Sequence, residues 1–173
     1  MINKQMDIGE LRNEVNDFLL EHKEGSLATS IGNIPRSSPV QYFVGKNMDI
    51  YILSAGGEKF KAIDENPNVC LLVNTDYINH RKIKGVQVFG KATTSLKDNS
   101  IFEEAKNQYE DNYILDKEKD NLKVIKVEPD EIVYLNSVVD GDRTKQVLRL
   151  NDGDVKVIHD TVEHKGKFNI NPT

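Results

Sequence analysis

The spacing of hydrophobic residues along the chain changes between two periods, and each period predicts a different element. In residues 7–22, apolar side chains recur every three or four positions, which predicts an amphipathic helix. That stripe consists of Ile8, Leu11, Val15, Phe18 and Leu19. A similar stripe predicts a second amphipathic helix at 98–111. A shorter helix is predicted at 57–66, where a glycine pair precedes it and Asn66-Pro67 stops it.

Elsewhere apolar and polar residues tend to alternate, which predicts strands. The expected strands are 26–31, 35–44, 48–53, 68–74, 85–96, 122–127, 131–135, 145–150 and 155–159. Gly32-Asn33 and Gly45-Lys46-Asn47 supply turns between them, because glycine and asparagine accept positive φ. The segment 68–74 is almost continuously apolar and is expected to be buried on both faces or at least well covered. Pro129-Asp130 is expected to separate the strand at 122–127 from the strand at 131–135.

Short strands joined by turns predict a mainly β protein with flanking helices (α+β), in which mostly antiparallel strands form a barrel. The length of 173 residues is close to that of one domain. A net charge of −5 argues against a general nucleic-acid binder. The sequence has neither a signal-peptide core nor a run approaching about 20 apolar residues. We therefore expect a cytoplasmic protein with no membrane partner.

Two further features of the sequence predict no reactive site. Cys70 lies in an apolar run, which is typical of a small buried hydrophobic residue rather than of a nucleophile. The group His159, Asp160, Glu163 and His164 has neither a helical i, i+4 pair nor the spacing of a known ligand motif. We expect no metal site.

The stretch 35–59 carries the candidate chemistry. Arg36 stands at the start of one predicted strand, and Gly56, Gly57 and Lys59 lie where another strand passes into a helix. A helix N-terminus exposes backbone N–H groups, and glycines let an anion approach them. The pattern fits a phosphate site, although the same basic residues also fit a solvated surface. The glycine pair matches neither nucleotide-binding fingerprint, GxGxxG or GxxxxGK[ST].

Three blocks of this chain together resemble one protein family. The first is LAT at 27–29 with PRSSPV at 35–40, and the second is IYILSAGGEK at 50–59. The third is NPNVCL at 66–71 with GVQVFGKA at 85–92. In order and spacing these blocks resemble the pyridoxamine 5'-phosphate oxidase-like family of FMN-binding split barrels, over roughly residues 8–136. The resemblance implies a split-barrel domain at 1–136, with a C-terminal hairpin and tail at 137–173.

The resemblance also implies a cofactor site. Arg36 and Lys59 would hold the FMN phosphate, and Gln87 would approach the flavin ring from the other subunit of a homodimer. The flavin would be lined, largely through backbone atoms, by two runs of residues. These residues are Ser37, Ser38, Pro39, Val40 and Gln41 in the first run and Ile52, Leu53 and Ser54 in the second.

Three departures separate this chain from the true oxidase. Glu58 stands where the oxidase pairs an arginine with the lysine, and Gln41 stands where the oxidase has a lysine. The chain has no tryptophan, although the oxidase carries one near its flavin. The resemblance therefore implies family membership but not the vitamin B6 reaction.

The function expected from this resemblance is that of an FMN-dependent oxidoreductase acting on an unknown small molecule, with NADH or NADPH as a candidate electron donor. FMN itself carries the hydride or electrons, which agrees with the lack of an obvious acid, base or nucleophile. Three alternatives stay open: a non-catalytic flavin or haem protein for storage or sensing, a deazaflavin-dependent reductase, and a plain interaction domain.

Overall fold

A computed structural model describes residues 4–110 and 112–162 of the chain. Its α-helices are α1 (Ile8–Glu21), α2 (Glu58–Glu65), α3 (Ser100–Gln108) and α4 (Asn112–Lys117). Its strands are β1 (Glu24–Ile31), β2 (Ile34–Val44), β3 (Ile50–Ser54), β4 (Asn68–Asn74), β5 (Lys84–Thr94), β6 (Lys123–Asn136), β7 (Lys145–Arg149) and β8 (Asp154–Ile158). Antiparallel strands with flanking helices confirm the predicted fold class.

The eight strands form one sheet that closes on itself. The strand order is β3-β2-β1-β4-β5-β6-β7-β8, and β3 also pairs with β6. The first six strands therefore make a closed barrel, while β7 and β8 continue the sheet beyond it. Every pairing between these strands is antiparallel.

Helix α1 forms where the apolar stripe predicts it. Asp7 caps its first turn by accepting a hydrogen bond from the backbone N–H of Glu10 at 2.9 Å. The stripe residues Leu11, Val15, Phe18 and Leu19 are buried, and Ile8 packs partly buried against the same core. The helix contacts β2, β5 and β7. No helix of the described ranges is long and apolar enough to cross a membrane.

The proline at 129 does not break the sheet, so the predicted pair of strands is one strand, β6. Its first part pairs with β3 and its last part with β7, while β5 runs along both. The β5–β6 register shifts between Phe89 and Gly90, and Gly90 faces Pro129. A Cβ on Gly90 would lie 2.2 Å from the carbonyl oxygen of Glu128, so only glycine permits this approach. A bulge is a place where a strand tolerates proline.

Three further boundaries differ from the prediction. Met48 lies not in a strand but in a 3-10 turn (Lys46–Met48), where Asn47 and Met48 have φ of 57° and 65°. Helix 98–111 is shorter, because Tyr109 is extended after Gln108, and α4 follows as a separate helix. The last predicted positions of strand 85–96 lie beyond Thr94, where β5 ends.

Strand β4 is covered on one face only, which corrects the expected burial on both faces. Val69, Leu71 and Val73 point into the barrel and are buried. On the opposite face Leu72 is 38% exposed, and Phe89 on the neighbouring strand β5 is also 38% exposed. The apolar run thus reflects one core face and one face that a single chain leaves in solvent.

Candidate functional site

One stretch of β2 extends beyond its neighbour on one side. Among the described residues, β3 pairs with 41–44 of β2, whereas 34–40 pair with β1 on the other side. Strand β3 ends at Ser54, and the chain then turns into α2. Backbone groups along such an edge are available to a ligand, as on any strand that outruns its partner.

Helix α2 packs against β1 and β5. It begins shortly after Ser54, and Leu53 pairs with Gln41 of β2. After its other end, the Asn66 side-chain amide donates to the Ser30 hydroxyl at 2.9 Å. Ser30 pairs with Pro35 in the β1–β2 ladder. The helix therefore starts near the last residues of β3 and ends near the last residues of β1.

The loop between β3 and α2 has a backbone that only glycine adopts readily. Gly56 and Gly57 have φ of 137° and 110°. The Ser54 hydroxyl accepts a hydrogen bond from the Gly56 N–H at 3.2 Å and so fixes the turn. Gly57 is the N-cap of α2 and provides no side-chain cap, so the positive end of the helix dipole faces outward.

Two lysines converge on this loop. The Lys59 ammonium donates to the carbonyl oxygen of Gly56 at 2.7 Å, and the Lys123 ammonium donates to that of Ala55 at 3.0 Å. Lys123 reaches the loop because it pairs with Ser54 in the β3–β6 ladder. Two ammonium groups beside an uncapped helix N-terminus make a site where an anion is favoured. Glu58, in the first turn of α2, is exposed next to them.

Lys123 is the residue that sequence reasoning missed. It lies far along the chain from Lys59 and belongs to none of the three family-like blocks. Only the pairing of β6 with β3 places it at the loop. A correct β3–β6 register, inferred from the two alternating apolar strands, is the one signal that could have found it.

The structure groups most of the predicted site residues around the end of β3. Gln41 pairs with Leu53, Ser54 is the last residue of β3, and Lys59 lies in the first turn of α2. Ile52 and Val40 point into the core and are buried, so only their backbones could meet a ligand. Along the rest of β2, Ser38 is half-buried, whereas Arg36, Ser37 and Pro39 are exposed.

Arg36 lies toward the other end of the stretch 34–40 of β2. It lies five positions from Gln41 along an extended strand, which is roughly 17 Å. It neighbours Pro35, at the level where Asn66 follows α2. Lys123 is therefore the second cation that directly contacts the Lys59 loop. That Arg36 and Lys59 share one phosphate stays a prediction.

Gln87 is separated from β2 within one chain. It lies on β5, and β1 and β4 stand between the two strands. The ladders place Pro39, Ser26, Leu72 and Gln87 in one row across the outer face. A groove of about 410 Å³ crosses this face over Gly25 and Ser26. Its residues are Glu24, Gly25, Ser26, Pro39, Val40, Gln41, Leu72 and Asn74.

The other candidate groups have structural partners or ordinary chemistry. Burial raises the pKa of the Cys70 thiol to about 11, so this half-buried cysteine stays protonated and unreactive. Asp160 pairs with Arg81 and accepts the backbone N–H of Arg143 at 3.1 Å. Glu163 and His164 lie outside the described residues. Within those residues, no three His, Cys, Asp or Glu side chains are grouped as metal ligands.

Comparison with known proteins decides the family. A model of the family described as pyridoxamine 5'-phosphate oxidase matches residues 11–136. The chain belongs to the pyridoxamine 5'-phosphate oxidase family. It is 31% identical over 150 residues to general stress protein 26 of Bacillus subtilis (strain 168). That alignment covers 84% of this chain and 100% of the relative.

Solved structures from other bacteria share the pyridoxamine 5'-phosphate oxidase fold seen here. General stress protein 26 of Bacillus anthracis str. Sterne has a TM-score of 0.55 at 22% identity, over 72% of this chain and 93% of that chain. An FAD-binding protein of Mesorhizobium loti has a TM-score of 0.55 at 18% identity, over 69% and 90%. These likenesses concern the fold alone, and they agree with the predicted split barrel.

Proposed function

We propose that this chain is an FMN-binding flavoprotein that works as an oxidoreductase on a small molecule, with NADH or NADPH as electron donor. The observation that carries the proposal is the loop at 54–57, on which Lys59 and Lys123 converge beside an uncapped helix N-terminus. Family membership supplies the reason to place a flavin phosphate, rather than another anion, at that loop.

The residues around the loop fit FMN. Gly56 and Gly57 leave space for a phosphate that a side chain would fill, and the two ammonium groups offset its charge. The edge of β2 at 34–40 offers backbone groups to the polar rim of the ring system. When bound, FMN supplies hydride or electron transfer. The chain's own residues hold it: Lys59 and Lys123 at the phosphate, and the backbones of β2 and β3 along the ring.

A homodimer is part of the same proposal. Gln87 stands three strands from β2, roughly 14 Å across the sheet, so it would reach a flavin on β2 only from a second copy. The outer face of β4 and β5 supports such an assembly, because Leu72 and Phe89 are each 38% exposed there. Small residues, Gly25 and Ser26, allow the close approach of another sheet. We place the dimer in the cytoplasm.

The absorption spectrum of the purified protein, followed by turnover of NADH and NADPH, tests the proposal. We expect the two visible bands of oxidised flavin, release of FMN on denaturation, and bleaching by a nicotinamide donor. A haem spectrum or a deazaflavin spectrum would mean that the protein binds that cofactor instead of FMN. If neither NADH nor NADPH reduces the bound flavin, the protein is a flavin-binding protein and not a nicotinamide-dependent oxidoreductase. Protein that neither carries nor takes up a flavin would overturn the proposal.

A further inference from the structure

A second concavity opens on the outer side of the barrel, and none of residues 54–59 lines it. This α1–α3 cleft has a volume of about 590 Å³ and lies over β2 and β3, between the C-terminal ends of α1 and α3. Its volume falls within the roughly 300–1,000 Å³ typical of small-molecule sites. Leu19 and Leu20 form one wall, and Tyr109 and Glu110 form the opposite one.

The floor of the cleft is aromatic. Phe43 of β2 lines it, with its ring centroid 4.7 Å from that of Tyr109 at an interplanar angle of 40°. The Phe43 ring also stacks on Tyr51 at 5.1 Å and 14°. Leu20 is 57% exposed at the rim, which leaves apolar surface for a ligand to cover. Such a floor favours a flat ring that can stack or meet these rings edge to face.

Hydrogen bonds hold both walls in place. On the α1 side, the buried Tyr42 hydroxyl donates to the carbonyl oxygen of Leu19 at 2.8 Å. On the α3 side, the Gln108 amide donates to the Tyr51 hydroxyl at 2.9 Å and accepts the Lys46 N–H at 2.7 Å. The cleft is therefore built before a ligand arrives, which lowers the cost of binding.

An ionic cluster holds Tyr51, the cross-strand neighbour of Phe43. The Tyr51 hydroxyl donates to the Glu104 carboxylate, which also pairs with Lys126 at 2.7 Å. Asp49 lies 3.4 Å from the same ammonium group. Burial, and then the hydrogen bond to Glu104, raises the pKa of the Tyr51 phenol, so this group stays a protonated donor. The hydrogen bond to Glu104 holds the Tyr51 ring beside Phe43, and the Tyr51 phenol does not titrate in the neutral range.

We propose that the α1–α3 cleft binds a planar aromatic molecule of about two fused rings, held against Phe43 and Tyr109. Lys23 and His22 line the cleft on the α1 side, and Glu110 and Gln108 line it on the α3 side. These groups suit polar substituents at the edges of the ring system, so the ligand is an aromatic compound with polar groups and not a plain hydrocarbon. This ligand site is distinct from the loop at 54–57.

The position of the cleft also assigns a substrate class. Gln41 and Leu53 line the cleft and belong as well to the proposed flavin site. An aromatic ligand in the cleft would therefore border the flavin. This part of the inference rests on the proposed function and makes a planar aromatic compound the substrate.

Binding of 2-naphthol tests the site. Because the chain has no tryptophan, the fluorescence anisotropy of this probe can be read without protein background, at wavelengths where tyrosine does not absorb. We expect saturable binding to the wild type. Phe43→Leu keeps an apolar side chain but removes the ring, and we expect it to weaken binding several-fold to about tenfold. Leu20→Ser should weaken binding by a few-fold.

Leu96→Ser is the matched control, because Leu96 is 65% exposed and lies outside the cleft. It should bind 2-naphthol like the wild type. Circular dichroism and thermal melting show whether each variant is folded. If Phe43→Leu does not fold, Leu20→Ser still tests the site. Wild-type protein that does not bind the probe, or cleft variants that bind it unchanged, would overturn the proposal.

Repeating the titration with and without FMN separates the two proposals. Equal binding of 2-naphthol in both states supports a site next to the flavin. Mutual displacement would mean that the flavin ring itself fills the cleft, and the separate aromatic site would be wrong. If the protein takes up no flavin but still binds 2-naphthol at Phe43, the proposed function fails while the aromatic site stands.

Discussion

Lys59 and Lys123 donate hydrogen bonds to adjacent carbonyl groups of one loop, those of Gly56 and Ala55. One lysine comes from α2 and the other from β6, so two separate elements deliver charge to the same turn. The resemblance to the true oxidase implies an arginine where this chain has Glu58. Lys123 thus supplies a second cation at a site where the neighbouring position has an acid. The first two predictions follow from this pair.

Lys123→Ala should weaken FMN binding about ten- to a hundredfold, because a charge-assisted contact contributes about 1.5–3 kcal/mol. Lys59→Ala should have an effect of similar size. The measurement is titration of apoprotein followed by quenching of flavin fluorescence. Lys61→Ala is the matched control, since Lys61 is exposed on the same helix. Riboflavin, which lacks the phosphate, should bind all four proteins alike. Unchanged FMN affinity in both lysine variants would place the phosphate elsewhere.

Glu58→Arg should tighten FMN binding, because it removes a repulsion and adds a donor next to the loop. The same change should lower the free energy of unfolding by about 0.3–1 kcal/mol, since an acid in the first turn of α2 stabilises the helix dipole. Flavin titration would therefore show a higher FMN affinity, while urea denaturation would show a lower free energy of unfolding. Glu65→Arg makes the same change in charge at the end of α2 and should leave the FMN affinity unchanged.

Leu72→Glu should convert the proposed dimer to a monomer and weaken flavin binding by more than about tenfold, because a charge would be desolvated in the interface. Sedimentation velocity at micromolar concentration and flavin titration give the two measurements. Leu96→Glu places the same charge on an exposed leucine that does not lie on this face, so it should change neither result. A wild-type monomer that still binds flavin would contradict the dimer.

Asp160→Asn should destabilise the protein at neutral pH and much less in acid. Burial alone would raise the pKa of Asp160, but the N–H groups of Arg143 and Val162 and the Arg81 guanidinium lower it to about 2. A carboxylate with a lowered pKa stabilises the fold above its ordinary value of 3.8, and this contribution is lost as the pH falls toward about 2.

Urea denaturation from pH 7 down to pH 3 measures the effect. At pH 7 we expect the Asp160→Asn variant to lose about 1–3 kcal/mol of unfolding free energy. The gap from the wild type should narrow below pH 4. Asp152→Asn removes an exposed partner of Arg149 and should cost less than about 1 kcal/mol at any pH. A pH-independent effect at Asp160 would mean that packing, and not charge, holds that segment.

Much of this fold could be predicted because local rules agree with it. The stripe of α1 and its Asp7 cap follow from helical spacing, and the turn at Gly32-Asn33 follows from positive φ at both residues. Met48 escaped prediction because a methionine with φ of 65° contradicts its local preference. Only the surrounding structure imposes that backbone.

The other errors came from contacts between residues that are distant in sequence. Pro129 remains inside β6 because Gly90, on the neighbouring strand, leaves room for a bulge. Lys123 contacts the loop at 54–57 because β6 closes the barrel against β3. Neither fact is present in a short window of sequence. The loop itself could be predicted from its glycines and lysine, whereas its second cation could not.

The position of β6 in the chain also determines when the barrel can form during synthesis. Until Lys123–Asn136 has left the ribosome, β3 and β5 lack the strand that joins them. The nascent chain carries two unpaired edges in that interval, and such edges promote aggregation. Closing the barrel joins residues about 70 positions apart, as in the pairing of Ile52 with Ile125, which slows folding. Lys123 meets the loop at 54–57 in the same step, so the proposed flavin site and the closed barrel would form together.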